Sequence, residues 1–237
     1  MPASAALQGI LQQQPVWRGR SLAAPLRAIA SGYDALDAQL PGAGWPVGAL
    51  TEILGDREGV GELQVVLPAL ARLTVSGKRV VWLAPPHLPY APALAAAGVD
   101  LANLAVVRAP GRLDALWAAE QCLRAGPCHA LLAWLRHARY EELRRLSVAA
   151  EASQAFVALF RPAAAAAESS PAVLRLALET GEDGLRASIL KRRGPPAGAS
   201  FPLPVKRPAH ALGRPAFPRL RPRDARDARR LDLPVHA

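Results

Sequence analysis

The stretch that decides the fold covers residues 49–64 and reads ALTEILGDREGVGELQ. Its first part, residues 49–54, is a mostly apolar run that ends at a glycine, which is typical of a buried β-strand. Apolar residues then recur at helical spacing from Leu63 to Leu73, with an interruption at Pro68. A strand, a glycine-containing turn and a helix in this order predict the first unit of an α/β sheet.

The same alternation of apolar runs and helical spacing continues along the chain. Each of the later runs is apolar on both faces, which favours a parallel sheet with helices on both sides. The predicted strands are 79–84, 104–107, 130–135 and 155–160, and the predicted helices are 89–97, 113–123 and 141–152. The pattern therefore predicts an α/β fold with a mostly parallel sheet.

A β-hairpin is predicted after this alternating region. Two runs with strand character, residues 173–178 and 185–191, flank the segment 179–184, which reads ETGEDG. Two glycines and an acidic pair between two strands are typical of a hairpin turn. From residue 194 onward prolines recur, and they oppose both helix and central strand. We expect that part of the chain to be extended or disordered.

These patterns divide the chain into three parts. Residues 1–27 form an N-terminal arm, residues 28–205 a sheet core, and residues 206–237 a basic, proline-rich tail. The arm carries Leu7, Ile10 and Leu11, whose spacing predicts one apolar helical face. A length of 237 residues fits one core with an appendage.

Composition limits the classes of protein that come into question. A hydrophobic content of 51% is ample for a packed core. The two cysteines, Cys122 and Cys128, exclude a disulfide framework, and no second pair accompanies them to make a zinc site. The first residues lack a basic segment followed by an apolar run, and no run reaches the roughly 20 apolar residues of a membrane span. We expect a cytoplasmic protein.

Positive charge is concentrated at the end of the chain. Of the 29 basic residues, twelve follow residue 190, against only three of the 19 acidic residues, so this end carries +9 of the net charge of +10. Such an end favours contact with DNA or with an acidic partner, although a solvated extension has the same composition. The candidate contact residues are Arg214, Arg219, Arg221, Arg223, Arg226, Arg229, Arg230, Leu231 and Leu233. Residues 230–235, RLDLPV, resemble the peptide with which DNA polymerases bind the sliding clamp.

The loop after residue 54 resembles a phosphate-binding loop in its glycines alone. Gly55, Gly59 and Gly61 lie near the positions where such a loop needs glycine. The lysine and the hydroxyl that should follow are absent, and Glu62 stands in that region. Asp56 adds negative charge beside a site that would have to hold a triphosphate. The sequence therefore predicts at most a vestigial loop, built from Gly55, Gly59, Gly61 and Glu62.

The chain resembles RecA-type cores over about residues 28–205. The motifs are IASGYDALD at residues 29–37, PGAGWPVGALTEILG at 41–55, GKRVVW at 77–82, AAGVDLANL at 96–104 and LKRRGPP at 190–196. Within this superfamily it looks most like the ImuA family, the RecA-like accessory proteins of bacterial translesion synthesis. That family is sometimes grouped with the SulA division inhibitors.

Departures from the RecA pattern fall on the catalytic positions. Where active members carry a catalytic glutamate, Ala84 is followed by two prolines. Where they carry the acidic residue that orients Mg²⁺, this chain has Trp134, or Leu135 with a slip of one residue. Neither residue can activate water or hold a metal ion. The resemblance therefore implies a RecA fold without ATPase activity, cofactor or metal.

Aromatic side chains and histidines supply the remaining candidates. Trp82, Trp117 and Trp134 are expected in the core, whereas Trp45, in a glycine- and proline-rich linker, is a candidate exposed anchor for a partner. His87 and His129 lack an arranged nucleophile or carboxylate. They are expected to be structural.

Three functions follow from the resemblance. The first is a non-enzymatic adaptor in translesion DNA synthesis, whose partners would be an ImuB-like relative of the Y-family polymerases, an error-prone C-family polymerase, RecA, and DNA through the tail. This function implies association with the nucleoid after DNA damage. The alternative is a SulA-like cell-division inhibitor that binds a tubulin-like GTPase. A residual nucleotide-binding enzyme is the third, and the loss of the catalytic groups weighs against it.

Overall fold

An eight-stranded mixed sheet forms the centre of the computed structural model, which describes residues 27–56, 61–181, 184–194 and 199–205. In chain order its strands are β3 (Ala49–Gly55), β4 (Val80–Leu83), β5 (Leu104–Val107), β6 (Ala130–Trp134), β7 (Phe156–Pro162), β8 (Leu174–Gly181), β9 (Gly184–Lys191) and β10 (Phe201–Leu203). A separate two-stranded ribbon pairs β1 (Ala28–Ile29) with β2 (Trp45–Pro46). This architecture confirms the predicted α/β class.

The strand order in the large sheet is β10-β9-β8-β3-β7-β6-β4-β5. Strand β3 is central and pairs in parallel with both β7 and β8, with Thr51 opposite Ala158 on one side and Leu174 on the other. Strands β8, β9 and β10 pair with one another in antiparallel fashion, which confirms the hairpin. Strand β10 was not predicted. Its Pro202 lies on an edge strand, where a missing N–H is tolerated.

Helices cover both faces of the sheet. They are α1 (Asp34–Asp37), α2 (Glu62–Val75), α3 (Ala91–Ala96), α4 (Arg112–Arg124) and α5 (Tyr140–Ser153). One hydrophobic core joins α1, α2 and α3 to one face, and a second core joins α4 and α5 to the other. Short 3₁₀ turns at Leu101–Asn103 and Ala163–Ala167 complete the connections. Apolar residues on both sides of each inner strand thus fill two separate cores.

Helix α2 continues through Pro68, which the sequence predicted as an interruption. Proline has no N–H, so the carbonyl of Gln64, four residues earlier, loses its helical donor. The hydroxyl of Tyr33 donates a hydrogen bond of 2.8 Å to that carbonyl and replaces the missing donor. Burial raises the pKa of Tyr33, which keeps its hydroxyl protonated as this role requires.

Gly32 is required where the chain passes α2. Its φ of +92° lies in the left-handed region, and a Cβ at this position would stand 2.5 Å from the Cβ of Pro68. The backbone amide of Ser31 donates to the carboxylate of Asp37 at 2.8 Å, which closes the turn around this contact. The motif at residues 29–37 therefore has a structural role, to seat the chain against α2.

Candidate functional site

The region of the vestigial phosphate loop lies between the end of β3 and the start of α2. Gly55 ends the strand, Gly61 precedes the helix with a φ of +104°, and Glu62 is the first helical residue. Gly59 lies outside the described residues. A helix N-terminus favours an anion, and here the chain's own Glu62 supplies a carboxylate at that place. Arg136 and Arg161 line the same region as Asp56 and Glu62, so the charge around it is mixed.

Aromatic side chains border the space beside the vestigial phosphate loop. Trp134, at the end of β6, stacks on Phe160 with ring centres 4.6 Å apart and packs against Trp82 at 5.9 Å. The cavity left beside Gly55, Glu62 and Trp134 measures about 60 Å³. Since one water molecule takes about 30 Å³ in the liquid, this space suits a few waters at most. The space is small for a nucleotide, and we refer to this region as the small cavity.

A buried ion network is centred on Glu52 of β3, and the sequence analysis did not predict it. The two carboxylate oxygens of Glu52 accept from the guanidinium groups of Arg161, at 2.8 Å, and Arg175, at 2.6 Å. All three side chains are buried. The network ties together β3, β7 and β8. The sequence could have indicated this network, because charged residues stand inside otherwise apolar strands. A buried charge needs a partner of opposite charge.

Arg161 and Arg175 also bind the 3₁₀ turn that follows β7. Arg161 donates to the Ala138 carbonyl at 3.0 Å and to the half-exposed carboxylate of Glu168 at 2.7 Å. Arg175 donates to backbone carbonyls of the turn, including that of Ala165 at 2.5 Å. Both arginines are therefore held by several acceptors, which offsets the free-energy cost of burying their charge. Their role is structural, and the network offers no group for catalysis.

An apolar groove of about 1130 Å³ lies on the other side of the first turns of α2. Its walls come from α2, α3, the segment before α1 and the end of the described chain. Its lining includes Tyr33, Leu63, Leu67, Trp82, Leu94 and Pro204. Asp34 is the one charged residue among the groove's lining residues. A cavity of this size with apolar walls is suited to bind a peptide segment or a large apolar group.

The segment between β4 and α3 presents large apolar side chains to solvent. Leu88 is 73% exposed and Tyr90 is 65% exposed. Ala84, at the start of the segment, has a φ of +49°, an uncommon value for a residue other than glycine, and its amide donates to the Val107 carbonyl at 2.8 Å. Pro85 and Pro86 follow. The segment presents an apolar surface to solvent.

A second exposed apolar pair lies on α4, on the opposite face of the sheet. Leu113 is 67% exposed and Trp117, four residues later, is 66% exposed. The prediction that Trp117 lies in the core is wrong, because the α4 residues that face the sheet are Leu116, Ala119 and their neighbours. Trp82 is buried and Trp134 is partly buried against the core, as predicted.

Trp45 is not the exposed anchor that the sequence suggested. Its side chain is fully buried and stacks on Phe156, with ring centres 5.6 Å apart. Pairing of β2 with β1 turns this residue inward although the linker around it is rich in glycine and proline. The tail candidates from Arg214 to Leu233 lie outside the described residues, and their assignment stays a prediction.

The described part of the chain supplies no other reactive group. Burial raises the pKa of the Cys128 thiol to about 12, with Cys122 nearby adding to the shift, so this sulfur stays protonated and unreactive. His129 lies at the start of β6 and its Nδ1 accepts from the Arg79 amide at 3.3 Å. Among the described residues no three His, Cys, Asp or Glu side chains cluster as metal ligands. Within the same ranges, none of the helices has the length and apolar character that a membrane crossing requires.

Comparison with known proteins adds a family resemblance over the central part of the sheet domain. Residues 48–157, which run from just before β3 into β7, match the family model described as cell division inhibitor SulA. The protein named cell division inhibitor SulA of Edwardsiella piscicida is 32% identical over 101 residues. That alignment covers 42% of this chain and 60% of the relative. The matches support a place in the RecA/SulA-type superfamily.

The comparisons overturn the expected function in translesion synthesis. Both matches are to division inhibitors, so the adaptor function and its partners, an ImuB-like protein, an error-prone polymerase, RecA and DNA, are wrong. That expectation depended on motifs such as residues 29–37. This motif holds the chain against α2. Such a structural role does not distinguish one RecA-like family from another. Nucleoid association depended on those partners and has no support. A cytoplasmic location stays a prediction.

Proposed function

We propose that this protein inhibits cell division by binding a tubulin-like GTPase. The observation that carries the proposal is the match of residues 48–157 to the SulA division inhibitors, in a sheet domain whose nucleotide region is filled. The relative from Edwardsiella piscicida is named as an inhibitor of cell division. An inhibitor of this kind acts by binding alone and needs no catalytic group.

We also propose that the chain is a RecA-type core without ATPase activity. Trp134 and Phe160 fill the nucleotide region, and Glu62 places negative charge at the start of α2. In this proposal residues 28–205 act as the binding unit, and residues 1–27 and 206–237 are appendages to it. The sequence reasons for loss of activity, at Ala84 and Trp134, agree with this geometry.

The surface that we assign to the partner is the segment from Ala84 to Tyr90. It follows the carboxyl end of β4, and ligands of open α/β sheets bind at the carboxyl ends of the strands. Leu88 and Tyr90 expose apolar surface that burial against a partner would remove from water. The prolines at 85, 86 and 89 limit the backbone freedom that binding would have to remove.

The experiment measures inhibition of the division GTPase in cells and in solution. The full chain is expressed in bacterial cells, and the purified chain is titrated against the polymerising GTPase from the same organism, with polymer mass measured by sedimentation. We expect filamentous cells and loss of polymer. Leu88→Ala with Tyr90→Ala should weaken inhibition at least tenfold, because loss of two buried apolar side chains removes more than about 1.4 kcal/mol.

The exposed pair on α4 provides the matched control. Leu113→Ala with Trp117→Ala removes a similar apolar area from the opposite face of the sheet and should leave inhibition unchanged. Both double variants should keep the melting temperature of the parent, since all four side chains are largely exposed. Normal cell length and unchanged polymer mass with the parent chain would contradict the proposed function. Equal losses in both variants would contradict the assigned surface.

A further inference from the structure

The apolar groove beside α2 has space for a segment that the described residues do not provide. It measures about 1130 Å³, and its apolar walls include Leu63, Leu67 and Leu94. Trp82 forms part of its inner wall and is itself buried in the core. Open apolar surface of this extent is unfavourable in water and indicates a binding partner.

Residues near both ends of the described chain line this groove. The described residues begin at Arg27, and Gly32, five residues later, already lines the groove. They end at Val205, and Pro204 lines the groove as well. The 26 residues before and the 32 residues after are therefore both attached where they can reach it.

The two segments differ in chemistry, and the groove suits the first. Residues 1–17 contain no charged side chain and include Leu7, Ile10, Leu11, Val16 and Trp17. Residues 206–237 carry nine basic and three acidic side chains among recurring prolines. Burial of those charges in an apolar groove with one acidic residue, Asp34, would be costly.

We infer that residues 7–17 of the chain bind in the apolar groove of the same molecule. The nine residues from 18 to 26 can span up to about 30 Å, which is ample to bring this segment to the groove from Arg27. Attachment to the same chain gives the segment an effective concentration that reaches the millimolar range. A weak apolar contact is then sufficient for occupancy. The segment covers Leu63, Leu67 and Leu94 and shields them from water.

Photo-crosslinking tests this inference in the full chain. A benzoylphenylalanine replaces Ala93, which lines the groove on α3, and the crosslinked tryptic peptides are identified by mass spectrometry. We expect a crosslink to the peptide that ends at Arg18, within a single chain. The matched control places the same group at Ala118 on α4, on the other face of the sheet, and should give no crosslink to that peptide.

Two double variants decide whether the apolar side chains direct the binding. Ile10→Asp with Leu11→Asp should reduce the crosslink yield at position 93 at least tenfold. Gln12→Asp with Gln13→Asp adds the same charge beside the apolar face and should leave most of the yield. A crosslink to residues 206–237, a crosslink between two isotopically distinct chains, or no crosslink at all would each overturn the inference.

Discussion

The small cavity and the apolar groove lie on two sides of the first turns of α2, and they differ in size and in lining. Glu62 lines the first, while Leu63 and Gln64 line the second. The touching pair Trp82 and Trp134 separates the two, since Trp134 borders the cavity and Trp82 borders the groove. Stacked aromatic rings border the small cavity, and an apolar groove lies next to it.

The comparison separates a well-packed region from one that is only partly covered. Stacked aromatic rings and a buried ion network lie around the small cavity and stabilise this part of the sheet. The groove contributes less to stability because its walls are only partly covered. Substitutions around the small cavity should therefore lower the free energy of unfolding more than substitutions in the groove do.

Loss of the buried ion network should have the largest effect. Glu52→Ala leaves Arg161 and Arg175 buried without their shared carboxylate, and we expect a loss of about 3–5 kcal/mol in the free energy of unfolding. Denaturation in urea measures it. Glu168→Ala is the control, because that carboxylate is 55% exposed and its loss should cost about 1 kcal/mol or less. Equal losses for both variants would contradict a structural role for the buried network.

Truncation of one side chain in each region sharpens the comparison. Trp134→Ala removes the ring that stacks on Phe160, and we expect a loss of about 3 kcal/mol. Leu67→Ala acts on a half-buried wall of the groove and should cost about 1 kcal/mol. Both values come from the same urea denaturation. A larger loss at position 67 would show that the groove is the better packed of the two regions.

We expect that the chain does not bind nucleotide. Calorimetric titration of the full chain with Mg-ATP should give no binding at micromolar concentrations, because the small cavity measures only about 60 Å³. Glu62→Lys reverses the charge at the start of α2 and should still not create binding, since Trp134 continues to border this small space. Micromolar affinity in the parent chain would contradict the proposed loss of the nucleotide site.

The sequence predicted the sheet and its helices well because local apolar patterns determine them. Five parallel strands and the hairpin appear where the runs and turn residues place them. The continuation of α2 through Pro68 could not be predicted, because Tyr33, which supplies the missing donor, lies 31 residues from Gln64. Such a long-range bond leaves no trace in local spacing.

The candidate site was harder to predict than the fold. Absence of the lysine and of the acidic Mg²⁺ ligand was readable from the sequence, but the filling of the space by Trp134 and Phe160 was not. Trp45 is buried and Trp117 is exposed, the reverse of what the sequence suggested. Burial of Trp45 depends on the pairing of β2 with β1, and exposure of Trp117 depends on which face of α4 packs on the sheet. The choice between families rested on motifs with structural roles and therefore failed.

The bond from Tyr33 to the Gln64 carbonyl also makes the stability of α2 depend on a distant part of the chain. A proline inside a helix removes one backbone hydrogen bond and costs about 3 kcal/mol. Here a residue far earlier in the chain supplies a replacement donor, and Gly32 lies against Pro68. The stability of helix α2 is thus coupled to the position of the segment before α1.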